Sequence, residues 1–146
     1  MRYLYAPLRE LPPAPEPGGG EILARWTAAV RGASEPCVLL DLAATVTAAS
    51  PAFAEMVGMS VHQLAGASLF GTVLQVLDFN GGLPVPAGEV SRVPPLVALS
   101  AGALARSLLR VRRRDGTSPT LDAVSPPLRG GPENAVQGSM TFMHVV

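Results

Sequence analysis

Few side chains in this sequence are of the kinds that do chemistry, and they stand apart from one another. Cys37 is the single cysteine, and His62 and His144 are the two histidines. A nucleophile must lie within hydrogen-bond reach of a base that a third group orients. Neither histidine has an evident serine or cysteine partner. The run Gly66-Ala67-Ser68-Leu69-Phe70 lacks the second glycine of the Gly-x-Ser-x-Gly elbow. Nothing marks Asp41 and Asp78 as an acid–base pair, and Asp41 is explained by the end of a strand. Two histidines with no cysteine, aspartate or glutamate clustered about them make no metal site. Gly18–Gly20 belong to a proline-rich stretch rather than to a phosphate-cradling loop. Cys37 sits in an apolar run and reads as a buried small hydrophobe, not a reactive thiol. His144 stays a candidate pH-responsive surface group. Arg110, Arg112, Arg113 and Arg114 are residues that could hold phosphate or nucleic acid. They alternate with apolar positions and end at a turn, however, which is the pattern of a solvated strand edge. Recognition, not bond-making, is what these residues leave.

The bulk composition agrees. A chain of 146 residues is the size of one domain. Its hydrophobic share of 48% supplies a core, while charged residues reach only 15%, well below the usual quarter. Such a surface is apolar or is covered by a partner. All eleven basic residues are arginine and the formal net charge is zero, so no long-range field draws nucleic acid or an acidic membrane. A lone cysteine excludes an internal disulfide, and no stretch approaches the roughly 20 apolar residues of a membrane helix. The expected location is the cytoplasm.

Residues 1–20 read as an apolar tip followed by a linker. Pro12, Pro13, Pro15 and Pro17 bar regular structure, although Tyr3 and Tyr5 would share one side of an extended segment. Residues 21–146 read as a single domain. A helix is expected from Glu21 to about Ala33, with Ile22, Leu23, Trp26, Ala29 and Val30 forming one apolar stripe. Pro36–Asp41 and Thr45–Thr47 form a hairpin about a break at Leu42–Ala44. Ser50-Pro51 opens a helix that Gly58 ends, and Ser60 caps another turn, Val61–Leu64. Ser68–Leu77 is expected to be a short helix and residues 78–95 a long connection. A further helix spans Pro95–Ala105. The period then changes to two: Ser107–Arg114 and Pro119–Leu128 pair about Asp115-Gly116, and Ala135–Val146 is the last strand. Hairpins at both ends with helices between them give an antiparallel α+β layer.

In this order and spacing the sequence resembles the PAS domain family. The run EPCVLLDLAATVTAASPAFAEMVGMSVHQLAG, ending at Gly66, is similar to the family's opening. Asp41, Val46, Ser50, Phe53, Gly58, Leu64 and Gly66 stand at its characteristic places. Arg106–Leu128, RSLLRVRRRDGTSPTLDAVSPPL, resembles its paired strands about an Asp-Gly turn, and Gly138 with the strand after it resembles the last strand. The segment between Leu77 and Pro95 is longer and richer in proline than in a minimal member. Many members continue through an Asp-x-Thr cap into a signalling helix; here Val145 stands near that Asp, and the domain is expected either to work alone or to be part of a longer protein.

The resemblance implies a five-stranded antiparallel sheet of order 2-1-5-4-3 with short helices on one face, and a regulatory module in bacterial signalling rather than an enzyme. Flavin-binding light sensors of the family carry a Gly-x-Asn-Cys stretch where Ser68 and Leu69 stand. Haem-binding members carry a histidine where Ser91–Ala105 has none. Neither cofactor is therefore expected. If the family cavity is present, Met56, Leu64, Leu77, Leu96, Leu99, Leu109, Val111, Met140 and Phe142 would line it and take a small apolar ligand; the alternative is a fully packed core. Ile22, Leu23, Trp26, Ala29 and Val30 would form the surface for a second copy or a signalling partner.

Overall fold

The structure, a computed structural model, describes residues 19–146; the tip and prolines before Gly19 lie outside them. Helix α1, Gly19–Arg31, starts two residues earlier than expected, within the glycines. Strands β1, Cys37–Asp41, and β2, Val46–Ala49, pair with Val38 opposite Ala49 and a bulge at Leu39/Leu40. Helix α2, Pro51–Val57, is capped by Ser50 and closed by Gly58 at φ 74°, a conformation glycine adopts at no steric cost. Helix α3, Val61–Leu64, carries a reciprocal box: the Gln63 amide donates to Ser60 Oγ (3.1 Å) and the Ser60 amide to Gln63 Oε1 (2.9 Å).

The helix expected over Ser68–Leu77 does not form. Turns lead instead into strand β3, Gln75–Leu77. β-branched Thr72, Val73 and Val76 disfavour a helix, Gly71 breaks the run at φ 107°, and an open strand edge offers pairing. The 78–95 connection is also not bare, since helix α4, Ala87–Val90, lies within it. Helix α5, Pro94–Ala101, stops at Gly102 (φ 65°), short of the expected Ala105. Strands β4, Ala105–Arg112, β5, Thr120–Ser125, β6, Pro127–Gly130, and β7, Ala135–Val145, complete the chain.

The pairings between these strands are all antiparallel, in the order β2-β1-β7-β5-β4-β3, with β6 also on β7. β5 and β6 are one interrupted strand. Pro126 and Pro127 have no N–H to give the ladder, and the Met140 amide reaches the Pro126 carbonyl across the break (3.2 Å). Counting the two as one gives the expected order 2-1-5-4-3, and β3 is an added short edge.

The sheet separates two apolar layers. Val38, Leu40, Leu109, Val111, Leu121, Ala123 and Met143 face the short helices, where Phe53, Val57, Leu64 and Leu69 are buried with them. Cys37, Leu39, Leu128 and Met140 face α1, which lies across β1, β2, β6 and β7 through Ile22, Leu23 and Val30. Gly138 permits that close approach, because a Cβ there would fall on the Leu40 carbonyl oxygen and the Leu23 side chain.

Candidate functional site

A hollow of about 470 Å³ opens between the β1–β2 turn, residues 68–76 and α4. Ala43, Ala44, Phe70, Val85 and Leu96 form its apolar wall, and Ser68, Gln75 and Ser91 supply the polar groups. Local bonds hold its rim. Asp41 Oδ1 accepts from the amides of Ala43 (2.9 Å) and Thr45 (3.0 Å), and the Leu69 amide donates to the Ala44 carbonyl (3.0 Å). Ala44 is thereby kept at φ 59°, where a Cβ is strained. Ala44→Gly should accordingly raise stability by about 0.5–1 kcal/mol, read as a higher urea midpoint with an unchanged slope. A shallower hollow of about 330 Å³ adjoins, sharing Ala43, Ala44, Ser91 and Leu96 and adding Leu42 and Leu99. Among the described residues, no titratable side chain lines either space. They suit a small, mostly apolar molecule held by a few hydroxyls and an amide.

The residues expected to line a cavity are not gathered there. Leu64 and Val111 are sealed in the inner core, with Met56 and Leu96 packed against it, and Leu109 of that core also lines a hollow at the edge of β4, as does Leu77. Leu96 alone of the nine lines the larger hollow, and Leu96 and Leu99 the smaller. Leu77 is buried opposite Arg110 and so belongs to the other side of the sheet edge. Met140 and Phe142 must be corrected, because they lie beneath α1 on the opposite face. Val38 pairs with Thr141 and Leu40 with Ser139, so the odd-numbered positions of β7 turn inward, and Met143 is the methionine of the inner core. Alternation alone offers two phases for β7; pairing with β1 selects one.

On the outer face, α1 packs mainly on β1, β2, β6 and β7. Leu108 is 50% exposed, and Val124 and Phe142 are half-buried. Arg106 grips Asp122 through two bonds, Nη2–Oδ2 at 2.7 Å and Nε–Oδ1 at 3.2 Å, and the bond and charge of Arg106 hold the Asp122 carboxyl below its ordinary range. His144 Nε2 lies 3.1 Å from Glu35 Oε1. The expected interface stripe divides here. Ile22, Leu23 and Val30 are buried against the chain's own sheet, whereas Trp26 is 41% exposed and Ala29 is exposed.

The remaining candidates resolve individually. Burial, aided by the charge of Glu35, pushes the Cys37 thiol up despite its bond with Ser50, so the thiol stays protonated and inert. Arg113 donates to the Met56 carbonyl (2.9 Å) and Thr117 Oγ1 (2.8 Å), tying the β4–β5 turn to the end of α2. Among the described residues no three of His, Cys, Asp or Glu are placed to hold a metal ion, and no helix is long and apolar enough to cross a membrane.

No family model matches the sequence, and no curated protein is similar to it at a significant level. Solved structures are similar. The PAS domain of a protein from Colwellia psychrerythraea superposes with a TM-score of 0.62 at 15% identity, over 86% of this chain and 97% of that one. The Rhodobacter sphaeroides LOV protein gives 0.64 at 18% identity, over 87% and 68%. VqmA of Vibrio cholerae, described as a dimer and as a LuxR-type receptor, gives 0.58 at 14% identity, over 84% of this chain and 51% of that one. With its sheet order, its inner layer of short helices and these likenesses, the chain has the fold of a PAS domain.

Proposed function

We propose that the chain is a PAS-type regulatory module that acts by pairing with a second copy of itself through the outer face of its sheet. An exposed stretch of β4 and β5 carries this reading: Leu108, Val124 and Phe142 form an apolar strip on the outer face, the face that α1 also occupies with Trp26 41% exposed. A second copy fits because the strip is flanked by charges of both signs, Arg106 with Asp122, on a chain of zero net charge. Two such faces related by a two-fold axis meet without a like-charged field. The dimer described for VqmA is in keeping with it.

Sedimentation equilibrium tests this. A dimer at tens of micromolar is expected, and Leu108→Glu or Trp26→Glu should weaken it by about thirtyfold, the size of a central apolar contact. A protein that stays monomeric at high micromolar concentration, with Trp26→Glu making no difference, would overturn the reading.

A second reading is carried by the 470 Å³ hollow: the module senses a small apolar molecule held there. Native mass spectrometry of gently purified protein should then show an added mass that Leu96→Trp removes. That no titratable group among the described residues lines that hollow supports binding over catalysis.

A further inference from the structure

We propose a second, separate ligand site at the open edge of β4, which takes a small monocarboxylate with an apolar body and holds the anion on the Arg110 guanidinium. The site is a hollow of about 350 Å³ between β4, the 78–80 loop and α4, touching the first hollow only at Val76 and Val85. It exists because β3 is short. Its pairing covers Arg110–Arg112 and leaves the flank of Ser107–Leu109 without a neighbouring strand.

Arg110 is the reason to expect an anion. Its Nε is shut off from solvent and has no hydrogen-bond partner among the described residues, and no ion pair among them includes it. The explanation lies in the strand register. Asp122 stands opposite Leu108 and so diagonal to both Arg106 and Arg110. Arg106 takes both of its oxygens. Buried N–H groups of native proteins almost always have an acceptor, from protein, water or ligand, and a planar guanidinium matches a carboxylate better than any other small anion but phosphate.

The rest of the wall limits the choice further. Arg92 adds a second positive charge, whereas Asp78 and Glu89 add two negative ones. The Asp78 carboxylate is committed to its own loop, accepting from the Gly81 (2.6 Å) and Gly82 (3.2 Å) amides. A wall of zero net charge accepts one negative charge and resists the two of a phosphate monoester. Phe79, 57% exposed, and Leu108, 50% exposed, supply an apolar surface for the rest of the molecule. A hollow of this volume is at the small end of ligand sites.

Phenylacetate is the probe, titrated into the full chain and followed by backbone amide shifts and calorimetry. Saturable binding with shifts at Phe79–Asn80 and Ser107–Arg110 is expected. Benzyl alcohol and phenethylamine, which keep the ring without the anion, should bind at least tenfold more weakly. Arg110→Met should weaken phenylacetate at least tenfold without lowering the thermal midpoint of the free protein, because the orphan N–H leaves with the side chain. Should that variant fold poorly, Arg92→Gln supplies the check, with a severalfold loss. No saturable shift, equal affinity for benzyl alcohol, wild-type affinity in Arg110→Met, or shifts at Ala43, Ala44 and Leu96 instead would each overturn the site. Because Leu108 belongs both to this wall and to the strip proposed for self-association, sedimentation is run with and without phenylacetate: binding with an unchanged association state supports the site, and shifts that come only with a change in association state would overturn it.

Discussion

Gly138→Val is expected to unseat α1 and destabilise the domain by about 3 kcal/mol, on the order of 10 °C in Tm. The reason is steric and specific to one position. On the outer face, β7 passes so close to β1 and α1 that a Cβ at Gly138 would meet the Leu40 carbonyl oxygen and the Leu23 side chain together. The leucine side chain can turn aside. The carbonyl belongs to the central strand pair, in which Asp41 stands opposite Gly138, and it cannot move without breaking the sheet. The measurement is thermal unfolding, together with Trp26 emission, which should shift to the red as the ring leaves its partial cover. Adding Leu23→Ala should recover only part of the loss, because the carbonyl contact remains. A Gly138→Val protein with wild-type Tm and unchanged emission would show that α1 does not dock on the sheet at this point. Self-association should weaken in parallel, since Trp26 would leave the outer face with α1.

The second large effect is expected at Ser50. Its hydroxyl is fully buried and occupies the centre of three bonds. It accepts from the Phe53 amide (3.1 Å), capping α2, accepts from the Cys37 amide (3.0 Å) at the head of β1, and donates to the Glu35 carbonyl (2.7 Å). One side chain therefore ties the first strand, the first hairpin and the first inner helix together. Ser50→Ala removes the cap, which costs about 1 kcal/mol, and strands a buried N–H at Cys37, which costs about 1–3 kcal/mol more. The expected total is about 2–4 kcal/mol, read as a lower urea midpoint at unchanged slope. Ser50→Asp is a useful contrast. It can still cap α2, but it cannot donate to Glu35 and it brings a charge into a buried site, so it should be no better than alanine. A loss below 1 kcal/mol in Ser50→Ala would mean that the hydroxyl acts as a helix cap alone.

Both sites show where local and distant information divide. That Ser50 caps a helix follows from Ser-Pro and a glycine eight residues on; that it also holds the Cys37 amide depends on β1 lying alongside. Gly138 is recognisable as a glycine in a strand, a sign of close approach, but what approaches it is settled by where α1 crosses the sheet. The helix expected over Ser68–Leu77 shows the same division. Its residues are apolar enough for either state, and the free edge of β4, far along the chain, drew its end into a strand.

The sequence by itself determined the α+β class, the serine caps, the Asp41 and Asp115-Gly116 turns and the outward arginines of β4. These depend on spacing within a few residues, where backbone geometry leaves little choice. Only the tertiary structure decided which phase of β7 turns inward, that Ile22, Leu23 and Val30 cover the sheet while Trp26 stays partly exposed, that the open space lies beside the β1–β2 turn, and that Arg110 loses Asp122 to Arg106. Each of these is a competition between segments distant in the chain for one neighbour or one face, and such a competition has an outcome only when all the contestants are in place.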